Sequence, residues 1–365
     1  MFSRIDSNRR AFLLSLVALS FGIASCGPQT QNAPSIDTNA SASPAADTSA
    51  AGATLNGAGA SFPAPLYQRW FSEYNKTNPN TKISYQSVGS GAGVKQFTAG
   101  TIDFGGSDTG MTKEEIAKVS RGVLLVPATA GSVVLAYNLP GVEGIKLSRD
   151  VYPDILQGKI TNWNDPRIAK INPDLKLPDQ PITIIYRSDG SGTTAVLTKH
   201  LSTVSPAWKS GPGEGKSVSW PAGTGAKGNE GVTAQIQQTQ GAIGYTEYGY
   251  ATQNKIPFAI LENKAGKYVA ATPESASAAL ASVTLPEDFL AFAPDPPSAE
   301  SYPIVSYSWI MAYKTYDDPA KAQAVENMLK WSLTEGQKFS GELGYVPLPE
   351  SVVSKVQPAV DAISN

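Results

Sequence analysis

The sequence predicts an α/β protein with largely parallel sheets, in which strands and helices alternate along the chain. Short apolar runs alternate with amphipathic segments, and several strands pass through a glycine turn directly into a helix. The length of 365 residues exceeds one domain of ordinary size and favours two globular domains. Ligands of such sheets bind beyond the carboxyl ends of the strands, so the glycine turns are candidate ligand sites.

The folded body is expected to begin near Ala53, and its first elements are two strands and two helices. Thr54–Asn56 is a strand, and Phe62–Pro65 opens a helix because proline suits a first helical turn. The apolar stripe of that helix is Leu66, Tyr67, Trp70, Phe71 and Tyr74. Thr81–Val88 is the next strand, since Ile83 and Tyr85 alternate in it, and Gly89–Gly91 leads into a short helix.

The later elements rest on equally local patterns. Thr112–Glu115 has the pattern of a capping box that opens a helix. Apolar runs predict the remaining elements, which are strands Val123–Val126, Ser132–Leu139, Ile182–Tyr186 and Val305–Tyr313, a helix from Asp189–Thr193 through His200, and a helix over Asp318–Lys338.

Composition excludes several classes of function. Charged residues make up 16% of the chain and the net charge is −2, so a nucleic-acid partner is not expected. The single cysteine, Cys26, and the single histidine, His200, exclude an intrachain disulfide, a His-rich metal site and a Cys/His catalytic pair. No cofactor is predicted, and any anionic ligand requires a local site.

The N-terminus predicts export. Basic residues precede the apolar run Ala11–Ala24, which is shorter than the ~18–20 residues that span a bilayer, so residues 1–25 are expected to be a signal peptide. Ile23–Cys26 resembles a bacterial lipobox, which implies cleavage before Cys26 and a lipid on its sulfur. The alternative is an ordinary signal peptide with an incidental cysteine. Arg9–Leu13 also resembles a twin-arginine motif, which leaves the export route open.

The segment that follows has little to bury. Residues 26–52 are rich in Ser, Ala, Thr, Asn, Gln and Pro, which predicts a disordered tether between the lipid and the folded body.

Four turns combine small hydroxyls with bare backbone N–H groups. Donors of this kind at helix N-termini form anion sites, and the guanidinium of Arg187 fits an oxyanion. Each turn alone also has an ordinary structural explanation: Ser61 as a helix N-cap, for example, or Arg187 as a surface partner of Asp189. The four turns are Gly59–Phe62, Gly89–Gly91, Ser107–Asp108 and Arg187–Thr193.

The order of these motifs resembles one protein family. The chain is similar to the PstS family, the phosphate-binding proteins of bacterial phosphate-specific ABC transporters, over nearly the whole body. The segments that carry the resemblance are Gly57–Pro65, Val88–Gln96, Asp103–Asp108, Leu156–Ile160 with Trp163, Arg187–Thr193, Trp220–Pro221, Gly228–Val232, Gly241–Tyr245 and Gly344–Pro349.

The resemblance implies a two-lobed periplasmic-binding-protein fold of type II that closes on its ligand. Two chain crossovers are then expected near Asn138 and Tyr302. Lobe I would comprise residues 53–137 plus 303–365, and lobe II residues 138–302.

The resemblance also implies the ligand contacts and the partners. Asp189 is expected to pair with Arg187 without contacting the phosphate itself. The implied partners are inorganic phosphate, the permease subunits of an ABC importer and the membrane, reached through the N-terminal lipid of a monomeric periplasmic protein. The implied phosphate contacts are Ser61, the N–H of Phe62, Ser90, Asp108, Arg187, Ser191, the N–H of Gly192, and Thr193.

Enzymatic functions are disfavoured. Ser210–Ser217 nearly matches a nucleotide-binding loop, but Ser210 replaces its first glycine and Pro212 removes an amide. A hydrolase would need a base for Ser61 or Ser191, and the only histidine, His200, lies further along the helix after Thr193.

Two other binding functions stay open. The first is a receptor for another tetrahedral oxyanion, namely sulfate, arsenate or a phosphonate. Asp108 argues against sulfate, because a carboxylate suits a ligand that brings a proton and fully ionised sulfate has none. The second is a surface scavenger or adhesive protein without a transporter.

Overall fold

The computed structural model describes residues 52–365. The predicted signal peptide, the lipidation site Cys26 and the tether before residue 52 lie outside the described residues. No helix in the described range combines the length and apolarity needed to cross a membrane.

The elements of the described range alternate as an α/β chain. Two short 3-10 helices, Glu335–Phe339 and Gly341–Leu343, precede the last α-helix. The strands are β1 Ala53–Gly59, β2 Thr81–Ser87, β3 Phe104–Ser107, β4 Val123–Tyr137, β5 Lys146–Leu147, β6 Thr183–Arg187, β7 Thr224–Ala226, β8 Ala242–Glu247, β9 Ile260–Glu262, β10 Tyr268–Val269 and β11 Val305–Tyr313. The helices are α1 Ala64–Thr77, α2 Ser90–Thr98, α3 Lys113–Ile116, α4 Val151–Leu156, α5 Pro166–Ile171, α6 Gly192–Val204, α7 Pro206–Ser210, α8 Gly228–Gln238, α9 Tyr248–Gln253, α10 Pro273–Leu280, α11 Pro319–Leu333 and α12 Glu350–Asp361.

The main sheet has eight strands in the order β2-β1-β3-β11-β4-β8-β6-β7. Its outer pairings are parallel, but β11 runs antiparallel to both β3 and β4, and β4 runs antiparallel to β8. The expectation of largely parallel sheets therefore fails in the middle of the sheet. Strands β11 and β4 lie in the middle of the sheet, between the group β2-β1-β3 and the group β8-β6-β7. The chain passes from the first group to the second through β4 and returns through β11, as in a two-lobed fold with two crossovers. The lobe boundaries near Asn138 and Tyr302 stay a prediction.

Strand β4 is longer than its sequence pattern indicated. Two strands were expected, but Val123–Tyr137 is a single strand that pairs first with β11 and then with β8. Pro127 interrupts the apolar pattern and lacks a donor N–H. The sheet tolerates it because a bulge in the pairing, between Ser308 and Trp309 of β11, lies opposite it.

Helix α1 packs against the sheet as its stripe predicted. All five predicted apolar residues are buried, and each such burial contributes roughly 1.5–3 kcal/mol relative to exposure. The indole of Trp70 donates to Gly336 O over 2.7 Å, which ties α1 to the C-terminal part of the chain.

Other boundaries follow local chemistry. The capping box at Thr112 is confirmed, since Thr112 and Glu115 each accept the other's backbone N–H. Strand β3 was not predicted, because its sequence Phe-Gly-Gly-Ser has low strand propensity. Helix α11 ends at Leu333, five residues before the predicted Lys338, and the chain continues as a 3-10 helix.

Candidate functional site

The four hydroxyl-bearing turns all lie at the carboxyl ends of strands. They follow β1, β2, β3 and β6, and three of them lead into α1, α2 and α6. The side chains that they contribute are buried: Ser61, Ser90, Asp108, Arg187, Ser191 and Thr193.

Ser90 joins three of these segments. Its hydroxyl oxygen accepts the backbone N–H of Asp108 over 3.3 Å and that of Gly192 over 3.1 Å. A hydroxyl oxygen has two acceptor positions and one hydrogen. Because both acceptor positions are occupied, the Ser90 hydrogen is free to donate to a further group.

Asp108 is a buried carboxylate among donors. Its Oδ1 accepts the hydroxyl of Ser308 over 2.8 Å, and its Oδ2 faces the hydroxyl of Thr193 at 3.4 Å. Burial raises the pKa of Asp108 to about 6, against the opposing effects of the Ser308 hydrogen bond and the Arg187 charge. The carboxyl group is therefore ionised at neutral pH but gains its proton in mildly acidic solution.

Arg187 is held in a planar pair with Asp189. Its Nε donates to Asp189 Oδ1 over 2.8 Å and its Nη2 to Oδ2 over 2.6 Å, which leaves Nη1 directed at Thr193 Oγ1, 3.4 Å away. Burial opposes ionisation of Asp189, but the hydrogen bonds and charge of Arg187 hold its pKa below the ordinary value. The Arg187 side chain is only 1% exposed, so the surface ion pair of the alternative interpretation is wrong.

The N-terminus of α6 completes the cluster. Ser191 is its N-cap and accepts the N–H of Thr194 over 3.0 Å. Ser61 is not an N-cap: α1 begins at Ala64 without a side-chain cap, and the Ser61 hydroxyl accepts from Asn229 instead.

Backbone contacts bring the turns close together. The N–H of Gly91 donates to Gly190 O over 2.8 Å. Gly89 has a φ of 89°, where a side chain is disfavoured, and its α-hydrogen faces Asp189. Two further polar contacts link segments that precede and follow the first predicted crossover: Ser87 donates to Glu230 over 2.7 Å, and Lys216 lies 3.6 Å from Glu115.

Comparisons with known proteins show the family of this chain. The family model described as a PBP superfamily domain matches residues 40–335. The phosphate-binding protein PstS of Pasteurella multocida (strain Pm70) is 45% identical over 309 residues, which cover 83% of this chain and 89% of that protein. The chain belongs to the PstS family.

Further comparisons extend the similarity. PstS of Xylella fastidiosa (strain 9a5c) is 40% identical over 353 residues, covering 95% of this chain and 96% of that protein. A periplasmic phosphate-binding protein, PfluDING, solved with phosphate, has a TM-score of 0.69 at 20% identity, covering 84% of this chain and 93% of that one. A phosphate-binding protein of Stenotrophomonas maltophilia gives a TM-score of 0.66 at 20% identity, over the same shares of both chains. These structures show the shared fold.

Sequence reasoning missed two groups of this candidate site. Asn229 lies in the quoted Gly228–Val232 motif, but no role was assigned to it. Ser306 and Ser308 both hydrogen-bond to Asp108 from β11. Two serines separated by one residue in an otherwise apolar strand point to the same face of the sheet, and this pattern could have indicated a polar contact there.

The rival motifs have other roles in the fold. Ser210 ends α7, so the nucleotide-loop lookalike follows a helix and not a strand. His200 is buried; its Nε2 lies 2.7 Å from Tyr152 Oη and its Nδ1 2.5 Å from Pro294 O. Both ring nitrogens are therefore engaged away from Ser61 and Ser191.

Proposed function

We propose that this protein binds inorganic phosphate between its two lobes and delivers it to a membrane-embedded ABC importer. The observation that carries the proposal is Asp108, a buried acceptor surrounded by buried donors. Monohydrogen phosphate needs both kinds of partner, because it has one hydrogen to donate and three proton-free oxygens that accept.

The donors come from the predicted contacts. The Ser90 hydroxyl has its hydrogen free. The N-terminus of α6 lies beside it, and the N–H of Gly192, which donates to Ser90 Oγ over 3.1 Å in this structure, would exchange that acceptor for an oxygen of the ligand. Phosphate is held by the full predicted set: Ser61, the N–H of Phe62, Ser90, Asp108, Arg187, Ser191, the N–H of Gly192, and Thr193.

Charge alone does not account for binding. Arg187 and Asp189 neutralise each other, and Asp108 adds a negative charge. The anion is stabilised by oriented N–H and O–H dipoles in a site that excludes water. Oδ2 of Asp108 accepts a hydrogen bond from the protonated oxygen of the ligand, because the hydrogen bond that this atom receives from Thr193 is long.

Closure follows from where the phosphate contacts lie along the chain. Ser61, Ser90 and Asp108 precede the first predicted crossover, whereas Arg187, Gly192 and Thr193 follow it. Phosphate that contacts both sets favours the closed arrangement, because only that arrangement forms all the bonds.

Transport and location complete the proposal. The protein is a binding protein and not an enzyme, it is exported and held at the membrane by a lipid on Cys26, and its protein partners are the permease subunits of the importer. Family membership and the sequence of residues 1–52 support this part.

Calorimetric titration of the phosphate-depleted full-length protein tests the function. Phosphate and arsenate are expected to bind, and sulfate and methylphosphonate to give little or no heat. Tight sulfate binding would favour another tetrahedral oxyanion as the ligand. Phosphate binding without any effect of gene deletion on phosphate uptake would favour a scavenger.

A further inference from the structure

We propose that Asn229 is a positioning residue of the phosphate site, which fixes the Ser61 hydroxyl as a hydrogen-bond donor toward the anion. This inference rests on the proposed function. Asn229 lies in the first turn of α8 and is completely buried. It contacts segments that precede the first predicted crossover and segments that follow it.

The contacts determine how the Asn229 amide is oriented. Its Oδ1 faces the backbone N–H of Glu247 at 3.1 Å and the hydroxyl of Thr246 at 3.2 Å. A backbone N–H only donates, so the atom that it faces must be the amide oxygen. The NH₂ group is therefore on the opposite side, directed at the site.

Ser61 receives two donors from this one residue. Its Oγ accepts the backbone N–H of Asn229 over 3.0 Å and the side-chain Nδ2 over 2.9 Å. Within residues 52–365, Ser61 Oγ donates no hydrogen bond to a protein group. Both acceptor positions of the oxygen are occupied, so its hydrogen is available for an acceptor on the ligand.

Thr193 is oriented by the same amide. Asn229 Nδ2 lies 3.3 Å from Thr193 Oγ1, which also faces Arg187 Nη1 at 3.4 Å. The hydroxyl oxygens of Ser61 and Thr193 thus accept hydrogen bonds from protein donors, as the hydroxyl oxygen of Ser90 accepts from two backbone N–H groups. The arrangement suits a ligand whose oxygens are mainly proton-free.

The sharpest test is Asn229→Asp, which keeps the size of the side chain. One carboxylate oxygen still accepts from Thr246 and Glu247, so the local fold is retained. The other oxygen replaces the donor with an acceptor that takes the Ser61 hydrogen. We expect phosphate affinity to fall more than a hundred-fold, and Asn229→Ala to lower it roughly ten-fold, because the donor is removed without being reversed.

A double-mutant cycle with Ser61→Ala separates positioning from general structural damage. If Asn229 acts through the Ser61 hydroxyl, Asn229→Ala should change affinity less than about three-fold in the Ser61→Ala background. Ser61→Thr, which keeps the hydroxyl, should restore the full effect. Thr233→Ala is the control, since Thr233 lies on α8 and faces Thr246, 3.2 Å away, without touching Ser61.

The outcomes distinguish the two proposals. If the wild-type protein does not bind phosphate, the proposed function fails. If it binds phosphate and the effects of Asn229→Ala and Ser61→Ala are additive, the function stands and the positioning role of Asn229 is refuted. Equal phosphate affinities of the Asn229→Asp and Asn229→Ala proteins would also refute it.

Discussion

Ser308 donates its hydroxyl to Oδ1 of Asp108 over 2.8 Å, which leaves Oδ2 as the oxygen that faces the cluster of turns. Ser308 belongs to β11 and lies 200 residues further along the chain. Only the antiparallel pairing of β11 with β3 and β4 brings it beside Asp108. One oxygen of the carboxylate is thus held by the protein, and the other is available for the proton of a ligand.

The first prediction concerns Asp108 and selectivity. Against fully ionised sulfate, Asp108 presents an acceptor to an acceptor with like charges, and such mismatches reject the wrong ligand by ~10⁴-fold. Asp108→Asn should make sulfate binding detectable while phosphate binding falls moderately and arsenate follows phosphate. Competition calorimetry at one pH measures this, with the exposed Asp317→Asn as control. Unchanged rejection of sulfate by Asp108→Asn would remove Asp108 as the selectivity group.

The second prediction concerns charge. Arg187 is buried and already paired with Asp189, and buried contacts are poorly screened. Phosphate affinity should therefore change little over ordinary buffer salt. Arg187→Ala should weaken binding by about 3–5 kcal/mol, because it removes charged hydrogen bonds and leaves Asp189 unpaired. Arg167→Ala, which breaks an exposed pair with Asp154, is the control. A steep loss of wild-type affinity with salt would contradict the prediction.

The third prediction concerns closure. A Cβ on Gly192 would meet Ser90 Oγ and Asp108 Oδ2 and lie 2.7 Å from Asp108 Cβ, across the cleft between the predicted lobes. The φ of Gly192 is not in the left-handed region, so alanine should not strain α6 itself. Gly192→Ala should keep the ligand-free melting temperature but lower phosphate affinity about a hundred-fold or more.

Its control is Gly341→Ala, because a Cβ there meets no atom within 4 Å. Small-angle scattering with and without phosphate should show compaction of the control only. Wild-type affinity of Gly192→Ala would mean that the closed contacts are not needed for binding.

The fourth prediction concerns Glu247 and the pH dependence of stability. Burial raises the pKa of Glu247 to about 8, despite the hydrogen bond that it accepts from the N–H of Gly249. The folded protein therefore keeps a proton that the unfolded chain has lost, and its stability must fall as pH rises toward 8. Between pH 6.5 and 8 the slope should approach about 1.4 kcal/mol per pH unit at most.

Urea unfolding in phosphate-free buffer measures this slope. Asp108 with its pKa of about 6, and His200 in the unfolded chain, also titrate close to pH 6.5, but they do so equally in the wild type and in both variants, so the difference between the slopes isolates Glu247. Glu247→Gln should flatten the slope, whereas the exposed Glu300→Gln should keep it. Equal slopes in the two variants would exclude Glu247 as the group responsible.

The fifth prediction concerns the anchor and rests on sequence alone. Cys26→Ser should move the protein from the membrane to the soluble fraction while leaving phosphate binding unchanged, because Cys26 precedes the predicted tether. Fractionation followed by immunoblotting measures the shift. Persistent membrane association of the serine variant would refute lipidation at Cys26.

Much of the fold was predictable because its signals are local. The five-residue stripe of α1, the capping box at Thr112 and the strand Val305–Tyr313 depend on neighbours within a few positions. The antiparallel middle of the sheet was not predictable, because pairing between strands that lie far apart in the sequence leaves no periodic trace. Strand β4 looked like two strands because its proline is accommodated only where its pairing with the distant strand β11 is bulged.

Residue types and the order of motifs were enough to predict the chemistry of the candidate site. Hydroxyls, bare N–H groups and an arginine at strand-to-helix turns indicated an anion, and the order of motifs indicated the PstS family. Whether the hydrogen of each hydroxyl group is free to donate to a ligand depends on contacts that only the folded structure forms. Asn229 lies 168 residues from Ser61, and Ser308 lies 200 from Asp108. Hydrogen-bond direction depends on which donors fill each oxygen's acceptor positions, and folding alone brings those donors together.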